Sequence, residues 1–216
     1  MTDNDEKEAG MARKTKEDSQ KTRDAILDGA ERVFLDKGIA NATMAEIADA
    51  AKVSRGAVYG HYDNKMEVCQ AMIDRAFALD AMRFPPASAS AHDTLLAGAG
   101  YYLAQFLEPG SPQRVYQILY QKCERTEENR SVLRRRELAD RLTMHYTRRQ
   151  LRRAIALGEL PAELDVGLAA DYLVCLFIGL YDLLENDPDA LPRCSRILRG
   201  ALEGLSHARG FMHART

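Results

Sequence analysis

Thr43 to Lys65 reads TMAEIADAAKVSRGAVYGHYDNK, and this stretch decides the fold. Thr43-Met-Ala-Glu46 is a capping box, in which the hydroxyl accepts from the Glu46 N–H and the carboxylate returns to the Thr43 N–H. Ile47 and Ala48 then face inward, and Ala48 is small enough for a second helix to cross closely. Ala51-Lys52-Val53 forms a turn whose valine plugs the gap between helices. Ser54 caps a short helix running to about Gly60. Asn64-Lys65-Met66-Glu67 looks like one more capped helix start. The spacing predicts a helix-turn-helix followed by a fourth helix.

The side chains of the short helix suit DNA. Its first turn presents Ser54, Arg55 and Gly56, where a recognition helix meets base edges in the major groove. The planar fork of Arg55 matches O6 and N7 of guanine. Gly56 and Gly60 cost about 1 kcal/mol each against alanine inside a helix, a cost that makes sense where a backbone must approach a phosphate or a base. Tyr59 and Tyr62 can pack inward or reach a phosphate, and His61 follows at the end of the helix. Lys65 is expected at a phosphate, because it sits at a helix N-terminus. The competing reading is a helical hairpin in an ordinary α-domain. Two capping boxes joined by a three-residue turn and followed by Tyr-Gly-His-Tyr favour the DNA reading.

Outward from this stretch, the 216 residues can bury a substantial core, and the formal charge is −2. Bulk charge therefore does not announce a nucleic-acid binder, although a helix-turn-helix needs only a local basic patch. The four cysteines show no metal or redox spacing, and a polar, charged N-terminus is unlike a secretory signal. A reduced, cytoplasmic protein is expected. Residues 1–15 are expected to be a disordered arm, with Arg13, Lys14 and Lys16 either solvated or reaching a phosphate or minor groove. Either Met1 or Met11 can be the natural start.

The first helix is predicted from Lys16 to Lys37, with Ile26, Leu27, Ala30, Val33 and Phe34 at helical spacing and Gly38 as its stop. The fourth is predicted from Asn64 to about Arg83, before the breaker that begins Phe84-Pro85. Further helices are predicted at His92–Leu107, from Ser111-Pro112, at Glu127–Leu157, from the cap Asp165, and at Leu191–Ala208. The Asp165 helix is apolar nearly all round, so it is buried on more than one side. Asp171 and Asp182 interrupt it, which argues against a membrane span.

The stretch and its flanks resemble the DNA-binding module of the TetR family of one-component repressors. The matching positions are Thr43, Ile47, Ala48, Val53, Ser54, Gly56, Val58, Tyr59, His61, Tyr62 and Lys65. The match extends upstream from Met11 to Ile39. Cys123-Glu124-Arg125, Arg134 to Leu138 and Gly158 to Pro161 resemble the subgroup that represses RND-type multidrug efflux operons (the AcrR/MexZ type). One departure is Lys52, where the family usually has glycine. A left-handed turn there costs a side-chain-bearing residue about 1 kcal/mol.

The resemblance implies an all-α homodimer: residues 16–63 as a three-helix DNA-binding head and 64–216 as a ligand-binding and dimerisation bundle. The DNA-contacting set is Thr43, Lys52, Ser54, Arg55, Gly56, Tyr59, His61, Tyr62 and Lys65. The implied function is repression from a palindromic or near-palindromic operator, relieved by a small hydrophobic or aromatic inducer or by a protein antirepressor. The dimer is expected through the last two helices, with Leu176, Leu180, Leu183, Leu198, Ala201, Leu202 and Leu205 in the seam. Tyr101, Tyr102, Phe106, Tyr116, Tyr120, Cys123, Tyr172, Cys175 and Phe177 can line a ligand cavity or be plain core.

Arg130, Arg134, Arg141, Arg148 and Arg152 share one stripe of the long Glu127–Leu157 helix. Such a stripe can bind nucleic acid or an acidic protein, or be a solvated face laced with Glu137. The cysteines can form a redox switch, though no run of basic residues marks a low-pKa thiol. His61, His92, His145, His207 and His213 show no ligand spacing, and no phosphate loop, nucleophile elbow or zinc-hydrolase motif occurs. No cofactor, metal, membrane role or enzyme activity is expected. The rival readings are a helical interaction protein and a small-molecule binder, both without a DNA role.

Overall fold

The computed structural model describes residues 3–77 and 86–212, with side chains from residue 15 onward. Among the described residues nine α-helices follow in order: α1 (Asp3–Asn41), α2 (Met44–Ala51), α3 (Arg55–Tyr59), α4 (Lys65–Ala76), α5 (Ala91–Leu107), α6 (Ser111–Gln121), α7 (Arg130–Ala156), α8 (Val166–Asn186) and α9 (Leu191–Gly204). The only strand-like pairing among them is one bridge between Leu164 and Met212. The Arg13 and Lys14 side chains, the extension of the fourth helix to Arg83 and His213 lie outside the described residues. α1 begins at Asp3, so the disordered arm expected over residues 1–15 is helical where it is described. The sequence there is rich in strong helix formers and acidic at the amino-terminal end, which the helix dipole favours.

The chain divides into two compact units: Met1–Ala81 with Arg114–Arg135, and Met82–Gln113 with Arg136–Thr216. The division expected after residue 63 falls elsewhere. α4 turns Val68, Cys69, Met72, Ile73 and Ala76 into the same apolar cluster as Ile26, Leu27, Ala30 and Phe34 of α1. Val115, Ile118 and Leu119 of α6 and Val132 of α7 complete that cluster. The head therefore carries its own fourth helix and a returning piece of chain.

Two glycines explain the tight corners of this first unit. α1 crosses α2 at Gly29, where a β-carbon would stand 2.8 Å from the Ala51 nitrogen and 3.0 Å from the Ile47 oxygen. Gly38 kinks the end of α1 with φ 78°, and a β-carbon there would lie 2.4 Å from Glu124 Oε1. The Glu124 carboxylate accepts from the Ala40 N–H at 3.1 Å, and the Ile39 N–H donates to the Lys122 carbonyl at 3.1 Å. The α6–α7 loop is thus bonded to the α1–α2 corner.

A buried ion cluster holds α1, α4 and α6 together. Glu31, 1% exposed, receives Arg75 and Arg114 at 2.7 Å each, and Arg75 also reaches Asp28 at 2.7 Å. Next to Arg75 on α4, Asp74 accepts Arg135 of α7 at 2.6 Å. Two guanidiniums on one buried carboxylate meet the condition under which burying such a charge is tolerable.

In the second unit, Leu151 and Ala154 of α7, Ala169, Ala170 and Leu173 of α8, Ala201 and Leu202 of α9, and Leu205 just past its end form one core. Gly158 (φ 74°) stops α7 and lets Glu159 reach the start of α5. There its carboxylate accepts the Ala91 and His92 N–H groups at 3.0 Å each and lies 3.0 Å from His92 Nδ1. Burial alone would raise the Glu159 pKa, but these bonds hold it below the ordinary value. α8 is long and apolar enough to cross a membrane by length and composition. Its inward face packs against the core, while exposed Asp171 pairs with Arg148 at 3.6 Å.

The expected dimer seam needs correction. Leu180, Leu198, Ala201, Leu202 and Leu205 are buried within their own chain, at 3%, 5%, 9%, 1% and 1% exposure. Leu176 and Leu183 are half-buried. Periodicity locates the buried face correctly but assigns it to a partner, whereas the chain covers it itself. The outward stripes carry Asp171, Cys175, Ile178 and Asp182 on α8, and Arg193, Ile197, Gly200 and Gly204 on α9.

Candidate nucleic-acid interface

The helix-turn-helix is held by the caps its sequence encodes. Thr43 Oγ1 accepts from the Glu46 N–H at 3.3 Å, and Glu46 Oε2 accepts from the Thr43 N–H at 3.0 Å. Lys37 bonds Glu46 at 2.5 Å; that bond and those from Thr43 hold the carboxyl below its usual range, and the Glu46 carboxylate in turn raises the lysine. Ser54 Oγ accepts from the Ala57 N–H at 3.1 Å and starts α3. Val58 is fully buried and anchors α3 from below. Asn64 Oδ1 accepts from the Met66 and Glu67 N–H groups at 3.0 Å each, and Glu67 reaches back to the Asp63 N–H.

Lys52 adopts the left-handed conformation, φ 57° and ψ 38°, and is the only residue other than glycine at positive φ among the described residues. The turn keeps the geometry glycine would favour, although a lysine occupies it. The Lys52 N–H donates to the Asp49 carbonyl and the Val53 N–H to the Ala48 carbonyl, both at 3.1 Å.

Six residues of the expected DNA set are exposed: Thr43, Lys52, Ser54, Arg55, Gly56 and Tyr59, the last at 56%. Neither Lys52 nor Arg55 makes a side-chain hydrogen bond or ion pair among the described residues, so both cations are available to an incoming anion. At Gly56 a β-carbon would meet nothing nearer than Ser54 Oγ at 3.8 Å, so internal packing does not demand glycine there. His61 is half-buried beside Tyr62.

Two expected contacts turn inward instead. Tyr62 is 5% exposed; its ring lies under the Arg23 guanidinium at 5.8 Å, and its hydroxyl accepts from Arg23 Nε at 3.1 Å. The Lys65 ammonium donates to the Ala40 carbonyl at 2.8 Å and pairs with Glu128 at 3.2 Å, leaving its side chain 14% exposed. A half-buried carbonyl and a carboxylate within reach satisfy this lysine better than an unoccupied position in water. Residues that sequence reasoning missed include Arg23, which fixes Tyr62, and Arg32, which donates to the Ala50 carbonyl at 2.6 Å. Neither leaves a sequence signal. Gly29 does, as a glycine inside an otherwise strong helical run.

The aromatic set makes paired ring contacts within each unit. Tyr116 and Tyr120 stack at 4.3 Å in the first unit, where Cys123 packs on the core. In the second, Tyr101 meets Tyr102 at 5.5 Å, Phe106 meets Tyr181 at 4.7 Å, and Tyr172 meets Phe211 at 5.0 Å, while Phe177 is half-buried. Two open clefts, of about 570 Å³ beside Arg23 and Tyr62 and about 260 Å³ beside His92 and His207, are lined by other residues. Burial pushes the Cys69 thiol up to about 12, which makes it an inert core group.

A family model described as bacterial regulatory proteins, tetR family, matches residues 26–72, the segment from α1 to α4 just described. The HTH-type transcriptional regulator TtgR of Pseudomonas putida is 34% identical over 188 residues, covering 84% of this chain and 90% of its own. The chain belongs to the TetR family. The crystal structure of MexZ, described as a key repressor responsible for antibiotic resistance in Pseudomonas aeruginosa, matches with TM-score 0.81 and 50% identity over 90% of this chain and 100% of that one. SmeT, described as the repressor of the Stenotrophomonas maltophilia multidrug efflux pump SmeDEF, matches at TM-score 0.65 and 25% identity over 92% and 96%. Its complex with triclosan matches at TM-score 0.69 and 25% identity over 90% and 96%.

This TetR-family protein is a sequence-specific DNA-binding transcriptional repressor. The homodimer is the typical state of the family, and its repressors bind operator DNA. These relatives are transcriptional regulators rather than enzymes, and they do not favour a helical module without a DNA role.

Proposed function

We propose that this repressor silences a multidrug efflux operon in the cytoplasm, as a homodimer on a palindromic or near-palindromic operator, and is released by a small hydrophobic or aromatic ligand or by a protein antagonist. The observation that carries the reading is the exposed surface of Thr43, Lys52, Ser54, Arg55, Gly56 and Tyr59, with two unpaired cations beside a glycine that packing does not require. Arg55 reads a base edge, and Lys52 takes a phosphate. The description of SmeT as the repressor of a multidrug efflux pump, and of MexZ as a repressor responsible for antibiotic resistance, supports the choice of target, and the triclosan complex of SmeT supports the ligand class.

The seam of the dimer is assigned to the outward stripes, centred on Ile178 (54% exposed) and Ile197 (39% exposed) and flanked by Asp171, Asp182 and Arg193. Two-fold symmetry sets apolar against apolar and presents two α3 helices to half-sites about 34–36 Å apart. A ligand that binds one conformation of the dimer better shifts the population away from that spacing. The test is a gel shift with DNA upstream of the protein's own gene and a scrambled competitor. Retardation that only the specific competitor abolishes supports the proposal. Equal competition by scrambled DNA refutes operator recognition.

A further inference from the structure

We propose that the outer face of α7 docks an acidic, leucine-bearing helix of another protein, an interaction that goes beyond operator binding and ligand release. Six residues define the face: Leu138, Arg141, Leu142, His145, Arg149 and Arg152, all exposed. At 100° per residue they fall within an arc of about 100° and span about 21 Å along the helix, the length of a 14-residue partner. Leu138 is 52% and Leu142 57% exposed, one turn apart and side by side at the head of the arginine row. On the opposite side of the same helix, Leu151 and Ala154 are fully buried and Gln150 is 6% exposed. The outward leucines therefore do not reflect a loosely packed helix.

The charges on this face lack counterions. Arg141, Arg149 and Arg152 form no ion pair among the described residues, whereas Arg148, at the edge of this face beside Arg141, pairs with Asp171. Arg149 and Arg152 stand three positions apart, and like charges at that spacing destabilise a helix, a standing cost in the isolated chain. An acidic partner relieves that cost. The two leucines choose among anionic partners. A phosphodiester backbone has no use for adjacent apolar knobs, and a membrane-binding helix face carries a broader apolar surface with aromatic anchors. A helix with leucines at i and i+4 flanked by glutamates complements both features.

The probe is a fluorescein-labelled synthetic helix, EELLEELAELLEEL, titrated with the full-length protein at low salt and followed by anisotropy. Saturable binding should weaken with salt and fall about tenfold in Leu138→Ala/Leu142→Ala, since buried apolar anchors dominate such contacts. The Arg141→Glu/Arg149→Glu variant should lose the acidic peptide and gain its lysine-substituted counterpart. Far-UV circular dichroism and operator affinity of the variants should match wild type, because none of these residues lies on the helix-turn-helix surface. Binding that ignores the leucines, or no binding by the wild type, overturns the proposal. So does leucine-independent preference for vesicles of roughly one-third phosphatidylglycerol, or for a non-operator duplex of about 20 base pairs. A protein that binds the peptide but fails the operator gel shift would refute the proposed function and leave this surface standing.

Discussion

Replacing Lys52 with glycine separates backbone strain from DNA contact at a single residue. Lys52 holds φ 57°, a conformation that costs an L-residue about 1–2 kcal/mol and glycine nothing. Against this gain, glycine frees the unfolded chain by about 0.4–1 kcal/mol. The exposed side chain makes no hydrogen bond or ion pair among the described residues, so no contact is lost. The net expectation is stabilisation of about 0.5–1 kcal/mol, or a rise in Tm of roughly 1–4 °C for a chain of this length. Differential scanning calorimetry at fixed protein concentration reads it. The operator arm has the opposite sign: loss of one phosphate contact should weaken binding and reduce the slope of log K against log salt by about 0.9. A lower Tm would refute the strain argument. An unchanged salt slope would remove Lys52 from the interface.

Arg55→Ala should cost about 1–3 kcal/mol of operator affinity and relax preference at one position; equal loss across every operator base substitution would rule out base reading. Lys65→Met should lower stability by about 1–2 kcal/mol while leaving the salt slope of operator binding untouched, because the ammonium serves Ala40 and Glu128. A flattened slope would return Lys65 to the DNA. Ile178→Glu should yield a folded monomer by sedimentation, since it places an unpaired carboxylate in the proposed seam; a persisting dimer moves the seam elsewhere. Glu159 has a depressed folded pKa, so its stabilisation is present above about pH 4.5 and is lost as pH falls through the folded value. The Tm gap between wild type and Glu159→Gln should therefore close on acidification, and a gap constant with pH would exclude the linkage.

Local signals in the sequence survive into the structure. Thr43, Ser54, Asn64 and Asp165 all cap the helices that follow them, because a cap is decided by residues two or three positions apart. Lys65 is misleading in the sequence because its partner Glu128 is distant, and nothing at position 65 distinguishes an ammonium facing a phosphate from one facing a carboxylate. Tyr62 is ambiguous for a similar reason: a phenol that packs inward under Arg23 has the same local sequence as one that reaches out. The seam fails differently. A leucine stripe at 198, 202 and 205 looks identical whether its cover comes from the same chain or a second copy. Only the burial of Leu202 at 1% exposure identifies which chain provides it.

The ion cluster around Glu31 bears on how regulators of this kind can be recombined. Arg114 is the first residue and Arg135 the last of the returning piece that belongs to the first unit, and both are tied to the end of α4 or to the carboxylate beside it. A graft cut after residue 81 would strip one guanidinium from Glu31 and the cover from Gly38 and Ile39. Loss of a partner from such a buried charge costs about 3–5 kcal/mol, a large share of a domain's stability. The transplantable DNA-reading cassette is therefore discontinuous. A chimera that borrows this operator specificity must carry residues 114–135 along with the amino-terminal helices, and it inherits that part of α6 and α7 from the donor.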